Sequence, residues 1–168
     1  MISITQKNTI YDTILKSYTV DETVFEVNCI YDNQVIAGRV ANTTTEQPDG
    51  TTGYPLLIVS YIPGIELVGD LESNVSWKSI LMSVDVYAQN YDNRPTNAVI
   101  INGRVITDEI SRQLINDIND NWNDDTALIA ENVKLQNPVM DPTDLSRISG
   151  TPHVYRNNID INLIYKEE

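Results

Sequence analysis

Two long blocks of alternating residues place the strongest constraint on how this chain can fold. The first runs from Ser76 to Gln89 and the second from His153 to Lys166. Their apolar sets are Ile80, Met82, Val84, Val86 and Ala88 in the first, and Tyr155, Ile159, Ile161, Leu163 and Tyr165 in the second. A period of two held over this length is typical of strands with one buried face and one wet face. The blocks therefore predict two long strands of a sheet.

Two amphipathic segments predict the helices that cover the buried face. Apolar residues recur at helical spacing from Thr107 to Trp122, with Thr107 as the expected N-cap, and a shorter stripe predicts a helix near Asn8–Tyr18. The run Leu56–Ile62 is almost entirely apolar, as in a central strand covered on both faces. We therefore expect an α/β (α+β) fold class, with a mixed, largely antiparallel sheet and two main helices packed on one face.

The length of 168 residues suits a single domain, 1–168, and long loops are expected near 43–53, 63–75 and 137–152. Additional strands are predicted over Val35–Val40 and Leu128–Leu135. The segment 137–152 holds three prolines and one glycine, which favours a loop. A loop of this size usually has a function or becomes ordered on a partner.

The chain is strongly acidic, with 24 Asp and Glu against 11 Lys and Arg and a net charge of -13. This charge repels phosphate backbones and anionic lipids, so we expect neither sequence-specific nucleic-acid binding nor membrane binding.

No apolar run approaches the roughly 20 residues of a membrane span, and no signal peptide is evident at the start. Cys29 is the single cysteine and cannot form an internal disulfide. The protein is expected to work where it is made, or in an assembly built there.

Residues for catalysis or metal binding are scarce. Cys29 and His153 are the whole supply of Cys and His, whereas a zinc site needs about four ligands. The acidic stretch from Asp117 to Asp125 fails the calcium-loop pattern, because Trp122 stands where glycine is needed and Leu128 where the bidentate glutamate belongs. We therefore predict no catalytic residue, no metal and no cofactor, and a protein that is not an enzyme.

The order of the predicted elements resembles that of a known structural family. A leading helix and strands are followed by Tyr54-Pro55 opening an apolar strand, the strand WKSILMSVDVYA, the helix VITDEISRQLIND, and a closing strand VYRNNIDINLIY. This order, from Thr5 to Tyr165, resembles the tail terminator and tail-completion (head–tail joining) proteins of tailed phages and related viruses. The segments 43–53 and 66–74 have no counterpart in that pattern.

The resemblance implies a structural virion protein that caps the viral tail tube as a six-subunit ring and joins it to the head connector. Its partners would be further copies of itself, the tail tube protein and the head–tail connector or neck proteins. It would be located in the tail or neck of the virion, after assembly in the host cytoplasm. A neck or baseplate adaptor, and a small cytoplasmic acidic adaptor or inhibitor, are the alternative interpretations.

Five residues are our candidates for subunit contacts in such a ring. Contacts in a ring run head to tail, so a loop of one subunit must meet a different patch on the next. The predicted loop provides Asp141, Asp144 and Arg147, and the polar face of the last strand provides Arg156 and Asp160.

Overall fold

A five-stranded mixed sheet forms the centre of the fold. The computed structural model of the protein describes residues 2–31, 41–62, 77–121, 125–144 and 154–166. The sheet strands are β3 (Asn28–Tyr31), β4 (Leu56–Ile62), β5 (Trp77–Gln89), β8 (Val133–Asp144) and β9 (Val154–Lys166), in the spatial order β3-β4-β5-β9-β8. Only the β3–β4 pair of this sheet is parallel, and the other three pairs are antiparallel. The expected mixed, largely antiparallel sheet is confirmed.

Short elements complete the described part of the chain. Two small antiparallel pairs are formed by β1 (Tyr18–Val20) with β2 (Thr23–Phe25) and by β6 (Tyr91–Asp92) with β7 (Ile100–Ile101). The helices are α1 (Ile4–Ile14), α2 (Arg94–Asn97), α3 (Gly103–Asn116) and α4 (Thr126–Ala130), and a π-helical turn, Asp117–Asn121, follows α3.

The alternation in β5 and β9 places one side of each strand in the core. Val84 and Ile159 face each other across the two strands and are fully buried, while Asp85 and Asn158 are paired on the opposite side. Helix α3 packs over β5 and β9 on the buried side. Helix α1 packs on the same side, where the rings of Tyr11 and Tyr61 lie 6.2 Å apart. The predicted covering of one sheet face by the two main helices is therefore confirmed.

The first helix begins earlier than its stripe predicts. Ser3 is the N-cap, and it forms a capping box with Gln6. Gln6 also donates to the backbone oxygens of Glu131 and Lys166, both at 2.9 Å. These bonds attach the start of α1 to the end of β9, so a non-local contact selects this cap among several candidates. The helix ends at Ile14, and Tyr18 begins β1 instead of ending the helix.

The prediction that Thr107 caps the second main helix is wrong. Asn102 is the N-cap, and its side chain accepts a hydrogen bond from Arg104 N at 2.8 Å. Thr107 lies inside the helix, fully buried, and its hydroxyl donates to the oxygen of Gly103 at 2.8 Å. A buried threonine is compatible with this position because its hydroxyl is satisfied within the helix. Trp122, the predicted end, lies outside the described residues.

The predicted loop 137–152 is wrong as far as residue 144, because β8 extends to Asp144 along β9. A register shift between Gln136 and Val139 accommodates Pro138. Strand β8 is at the edge of the sheet, where a proline is tolerated since its missing N–H does not have to pair. Residues 145–152, Arg147 among them, lie outside the described residues. The loop 63–75 and the predicted strand Val35–Val40 also lie outside them.

One predicted loop is described by the structure, and one predicted strand is changed by it. The loop 43–53 is described, and side chains hold it in place: Asn28 accepts from Thr45 N at 2.9 Å, and Gln47 donates to the oxygen of Glu26 at 2.7 Å. The strand predicted over Leu128–Leu135 begins only at Val133, because Asp125 caps α4 in front of it.

Candidate functional site

The sheet face opposite α1 and α3 is the candidate functional surface, and we call it the uncovered face because these two described helices pack on the other side. Its side chains alternate with the buried ones along β4, β5, β9 and β8. The described residues on it are Leu56, Ile58, Ser60, Trp77, Ser79, Leu81, Ser83, Asp85, Tyr87, Lys134, Gln136, Val139, Asp141, Arg156, Asn158, Asp160, Asn162, Ile164 and Lys166. Most of them are half-buried rather than fully exposed.

The apolar side of this face comes from β4. Leu57 and Val59 point into the core and are fully buried, whereas Leu56 and Ile58 point to the uncovered face and are half-buried. The prediction that β4 is covered on both faces is therefore fulfilled on one face only within the described chain. A nearly continuous apolar strand is typical of burial on both sides. Leu56 and Ile58 thus give this side of the uncovered face an apolar composition that is suited to contact with a further surface.

A hydrogen-bonded ion pair lies beside these apolar residues. Arg156 Nε and Nη2 donate to Asp85 Oδ1 at 3.0 and 2.7 Å, and the guanidinium lies 5.8 Å from the centre of the Tyr87 ring. Asn158 donates to the same Asp85 oxygen at 2.8 Å and to Ser83 Oγ at 2.6 Å. Burial acts to lower the pKa of Arg156, but the hydrogen bonds and charge of Asp85 outweigh it, and this pKa is raised above its ordinary value. The cluster is therefore a fixed part of the surface.

The opposite end of the uncovered face is basic and aromatic. Lys134 Nζ lies 5.4 Å from the centre of the Trp77 ring, and Lys166 is the cross-strand partner of Trp77. Ile164 is paired with Lys134 and with Ser79. The face thus has two lysines at one end, and the carboxylates of Asp85, Asp141 and Asp160 lie with Arg156 toward the other.

Three of the five predicted contact residues come together here. Asp141, Arg156 and Asp160 all lie on the uncovered face, and the Asp141 charge helps to raise the pKa of Arg156. Asp144 is the last residue of β8, paired with Tyr155, and Arg147 lies outside the described residues. Sequence reasoning assigned Arg156 to a contact with a neighbouring subunit, whereas Asp85 already binds it within the chain.

A buried polar cluster on the other side of β9 was missed by sequence reasoning. Asn157 is fully buried, donates to Asp108 Oδ1 at 2.9 Å and Ser111 Oγ at 3.1 Å, and accepts from Arg104 Nη1 at 3.0 Å. The Arg104 guanidinium also lies 5.3 Å from the centre of the Tyr155 ring. The signal in the sequence is an asparagine at an inward position of an otherwise apolar alternation. The cluster fixes the first half of β9 against α3.

Gly103 makes this close packing possible. A Cβ atom built at Gly103 would lie 2.7 Å from Tyr155 Cδ2 and 2.8 Å from the backbone carbon of Gln89. These distances are shorter than real carbon contacts, so a larger residue would push α3 away from the strands. The N-terminus of α3, the end of β5 and the start of β9 are therefore held together at this residue.

No group of three His, Cys, Asp or Glu side chains is placed to hold a metal ion in the described part of the chain. No helix among these residues is long and apolar enough to cross a membrane. A pocket of about 360 Å³ has Leu15, Lys16, Ser17, Glu26, Val27, Cys29 and Asn42 as its lining. The chemistry that the uncovered face supports is recognition of another protein surface, since it combines aromatic, aliphatic and paired charged side chains.

Comparison with known proteins adds no family assignment. No protein-family model matches this sequence, and a search of curated proteins found no match.

Proposed function

We propose that this protein is a structural virion protein that closes the end of a viral tail tube as a ring of six subunits and joins the tail to the head connector. The proposal rests on the order of elements that carries the family resemblance. It is supported by the uncovered face, because a half-buried surface with apolar residues and a fixed ion pair is suited to contact with another protein.

The charge of the protein is compatible with this role. DNA must pass through the end of the tail without binding to it, and a net charge of -13 repels phosphate. The same charge would suit an acidic adaptor that binds a basic host protein. The uncovered face favours the structural role, since it holds Arg156, Lys134 and Lys166 beside its carboxylates and is not uniformly acidic.

Removal of the gene from the virus that encodes it tests the proposal. We expect the infected cells to accumulate separate heads and tails, and we expect wild-type protein supplied in trans to restore joined particles. A variant with Asp160→Lys on the uncovered face should restore few of them. Asp120→Lys, the same charge change at an exposed residue of the π-helical turn, is the matched control and should restore them fully.

Two outcomes would contradict the proposal. Joined, infectious particles in the complete absence of the protein would exclude a role in head–tail joining. A gene that lies in a host operon, away from genes for tail tube and tape-measure proteins, would favour the adaptor interpretation.

A further inference from the structure

The peptide bond between Asn102 and Gly103 lies where a side chain and the backbone can react with each other. Asn102 is the only asparagine of this sequence that precedes a glycine. A glycine has no side chain to shield its backbone nitrogen, so this nitrogen can reach the amide carbon of the preceding asparagine. Asn102 is exposed at the start of α3, whereas Gly103 is buried. A reactive sequence is thus attached to a packed part of the fold.

The reaction that this sequence permits is deamidation of Asn102. The Gly103 nitrogen bonds to Asn102 Cγ, the bond from Cγ to the side-chain nitrogen breaks, and ammonia leaves with the proton of the Gly103 nitrogen. Water then opens the five-membered imide at either of its two carbonyl groups. One product is aspartate at position 102. The other is isoaspartate, in which the main chain passes through Cβ and Cγ and is longer by a methylene group.

Hydrogen bonds in the folded protein hold the reacting atoms apart. The Gly103 nitrogen donates to Asn90 Oδ1 at 2.8 Å, and Asn102 Oδ1 accepts from Arg104 N at 2.8 Å. The imide ring requires the Gly103 nitrogen to lie nearly eclipsed with Asn102 Cβ. The ψ angle of Asn102 is 137°, which turns this nitrogen well out of that position. The native conformation therefore does not permit the reaction.

Close packing prevents Gly103 from turning while α3 is in place. A Cβ atom at Gly103 would lie 2.7 Å from Tyr155 Cδ2 and 2.8 Å from the backbone carbon of Gln89, so the space around this residue is filled. Gly103 is also the first residue of α3, and a rotation at Asn102 would move the helix relative to β5 and β9. Formation of the imide therefore requires the start of α3 to separate from these strands.

We propose that Asn102 is a site of spontaneous deamidation that reacts in molecules whose α3 has opened at its N-terminus, and that the isoaspartate product prevents α3 from closing again. Aspartate would cap the helix as well as asparagine does, and its charge suits the positive end of the helix. Isoaspartate instead lengthens the chain directly before Gly103, where the packing leaves no space. The inference does not depend on the proposed function.

Peptide mapping by mass spectrometry tests the modification. Wild type is incubated at neutral pH in buffer and in guanidinium chloride, and the peptide that contains Asn102 is analysed for conversion of the amide to an acid. We expect conversion in guanidinium chloride, and conversion in buffer that is slower by at least about a hundredfold, as for a packed element that opens rarely. Asn162 is exposed but precedes leucine, and as the control it should keep its amide in both conditions.

Two substitutions of Asn90 test the hydrogen bond that holds the Gly103 nitrogen. Asn90→Ala removes the acceptor, and we expect conversion of Asn102 in buffer to rise about fivefold, the factor that corresponds to one lost hydrogen bond. Asn90→Asp retains an acceptor and should convert no faster than wild type. Melting curves of both variants establish that they are folded.

The effect of isoaspartate is tested after refolding. Protein aged in guanidinium chloride is refolded, and the aspartate and isoaspartate forms are separated by chromatography. We expect the isoaspartate form to show faster amide hydrogen exchange in α3 and a lower melting temperature than the variant Asn102→Asp. This variant is the matched control, because it has the same charge and an ordinary backbone.

Several results would overturn the proposal. Conversion of Asn102 at equal rates in buffer and in guanidinium chloride would do so, and so would the absence of conversion in both. Asn90→Ala that converts at the wild-type rate would show that the bond to Gly103 gives no protection. An isoaspartate form whose α3 exchanges like that of Asn102→Asp would exclude the effect on closure. None of these results bears on ring formation or head–tail joining, so the two proposals fail separately.

Discussion

At the scale of single residues, Val84 tests the assignment of the two sheet faces. Its side chain is fully buried between the sheet and α3, and its neighbour Asp85 lies on the other face. Val84→Asp buries an unpaired carboxylate, and we expect it to lower the free energy of unfolding by more than about 3 kcal/mol. Ser79→Asp, on the uncovered face of the same strand, should stay within about 0.5 kcal/mol of wild type. Urea denaturation monitored by circular dichroism measures both, and equal losses would mean that the faces are misassigned.

A second residue, Gly103, tests the packing of α3. Gly103→Ala places a methyl group against Tyr155 and against the backbone near Gln89, and the backbone cannot yield as a flexible side chain can. Alanine normally stabilises a helix relative to glycine by up to about 1 kcal/mol. We expect the opposite sign here, a loss of about 1–3 kcal/mol from overpacking. A more stable variant in the same denaturation assay would contradict the close approach.

At the scale of elements, the buried cluster of Asn157 holds β9 against α3. Asn157→Leu removes bonds to Arg104, Asp108 and Ser111, and we expect it to cost about 1–3 kcal/mol because polar groups lose their partners inside the fold. Asn162→Leu makes the same change at an exposed position of the same strand and serves as the control. Amide hydrogen exchange should show faster opening of α3 in the first variant only. Unchanged exchange there would mean that apolar packing alone fixes the helix.

The sequence predicts the elements that depend on local patterns and misses the features that depend on contacts between distant residues. The faces of β5 and β9 follow from local alternation, so residues such as Val84 and Asp85 could be assigned without a structure. The start of α1 could not, because Ser3, Thr5 and Asn8 are all acceptable caps and the bonds from Gln6 to the end of β9 decide among them. The contacts of Asn157 and the Asp85–Arg156 pair join residues at least 46 positions apart, beyond the reach of local patterns.

Strand β8 was missed for a different reason. Its prolines indicate a loop when the segment is read locally, and they are acceptable in a strand only if that strand lies at the edge of the sheet. The position of β8 at the edge follows from the long register with β9 and not from its own residues. The uncovered face could therefore be only partly predicted, through the residues that β9 contributes to it.

At the scale of the whole molecule, the charge balance predicts behaviour toward DNA. Acidic residues outnumber basic ones by 24 to 11, and several described cations already face a carboxylate, among them Arg94 with Asp92 and Arg112 with Glu109. We therefore expect no measurable affinity for duplex DNA at physiological salt. Fluorescence anisotropy of a labelled duplex titrated with the protein measures this. A micromolar complex that weakens with added salt would contradict the expectation.

Ring formation on the tail is the last prediction at this scale. A ring of six would have a mass of about 113 kDa, six times the 18.9 kDa of one chain, and would show as six-fold density at the neck in a map of the virion. Because β8 extends to Asp144 and β9 begins at Val154, the residues between these strands are 145–153, and we propose that they contact a neighbouring subunit. Replacing residues 145–150 by a glycine-serine sequence of equal length should leave the melting temperature within a few degrees of wild type.

That replacement should nevertheless abolish ring formation and head–tail joining, because contacts in a ring run between two different patches and only one of them would remain. Rings that assemble normally after the replacement would show that this segment has no role in the contact. A virion map without six-fold density at the neck would exclude the ring itself, whatever the solution state of the free protein.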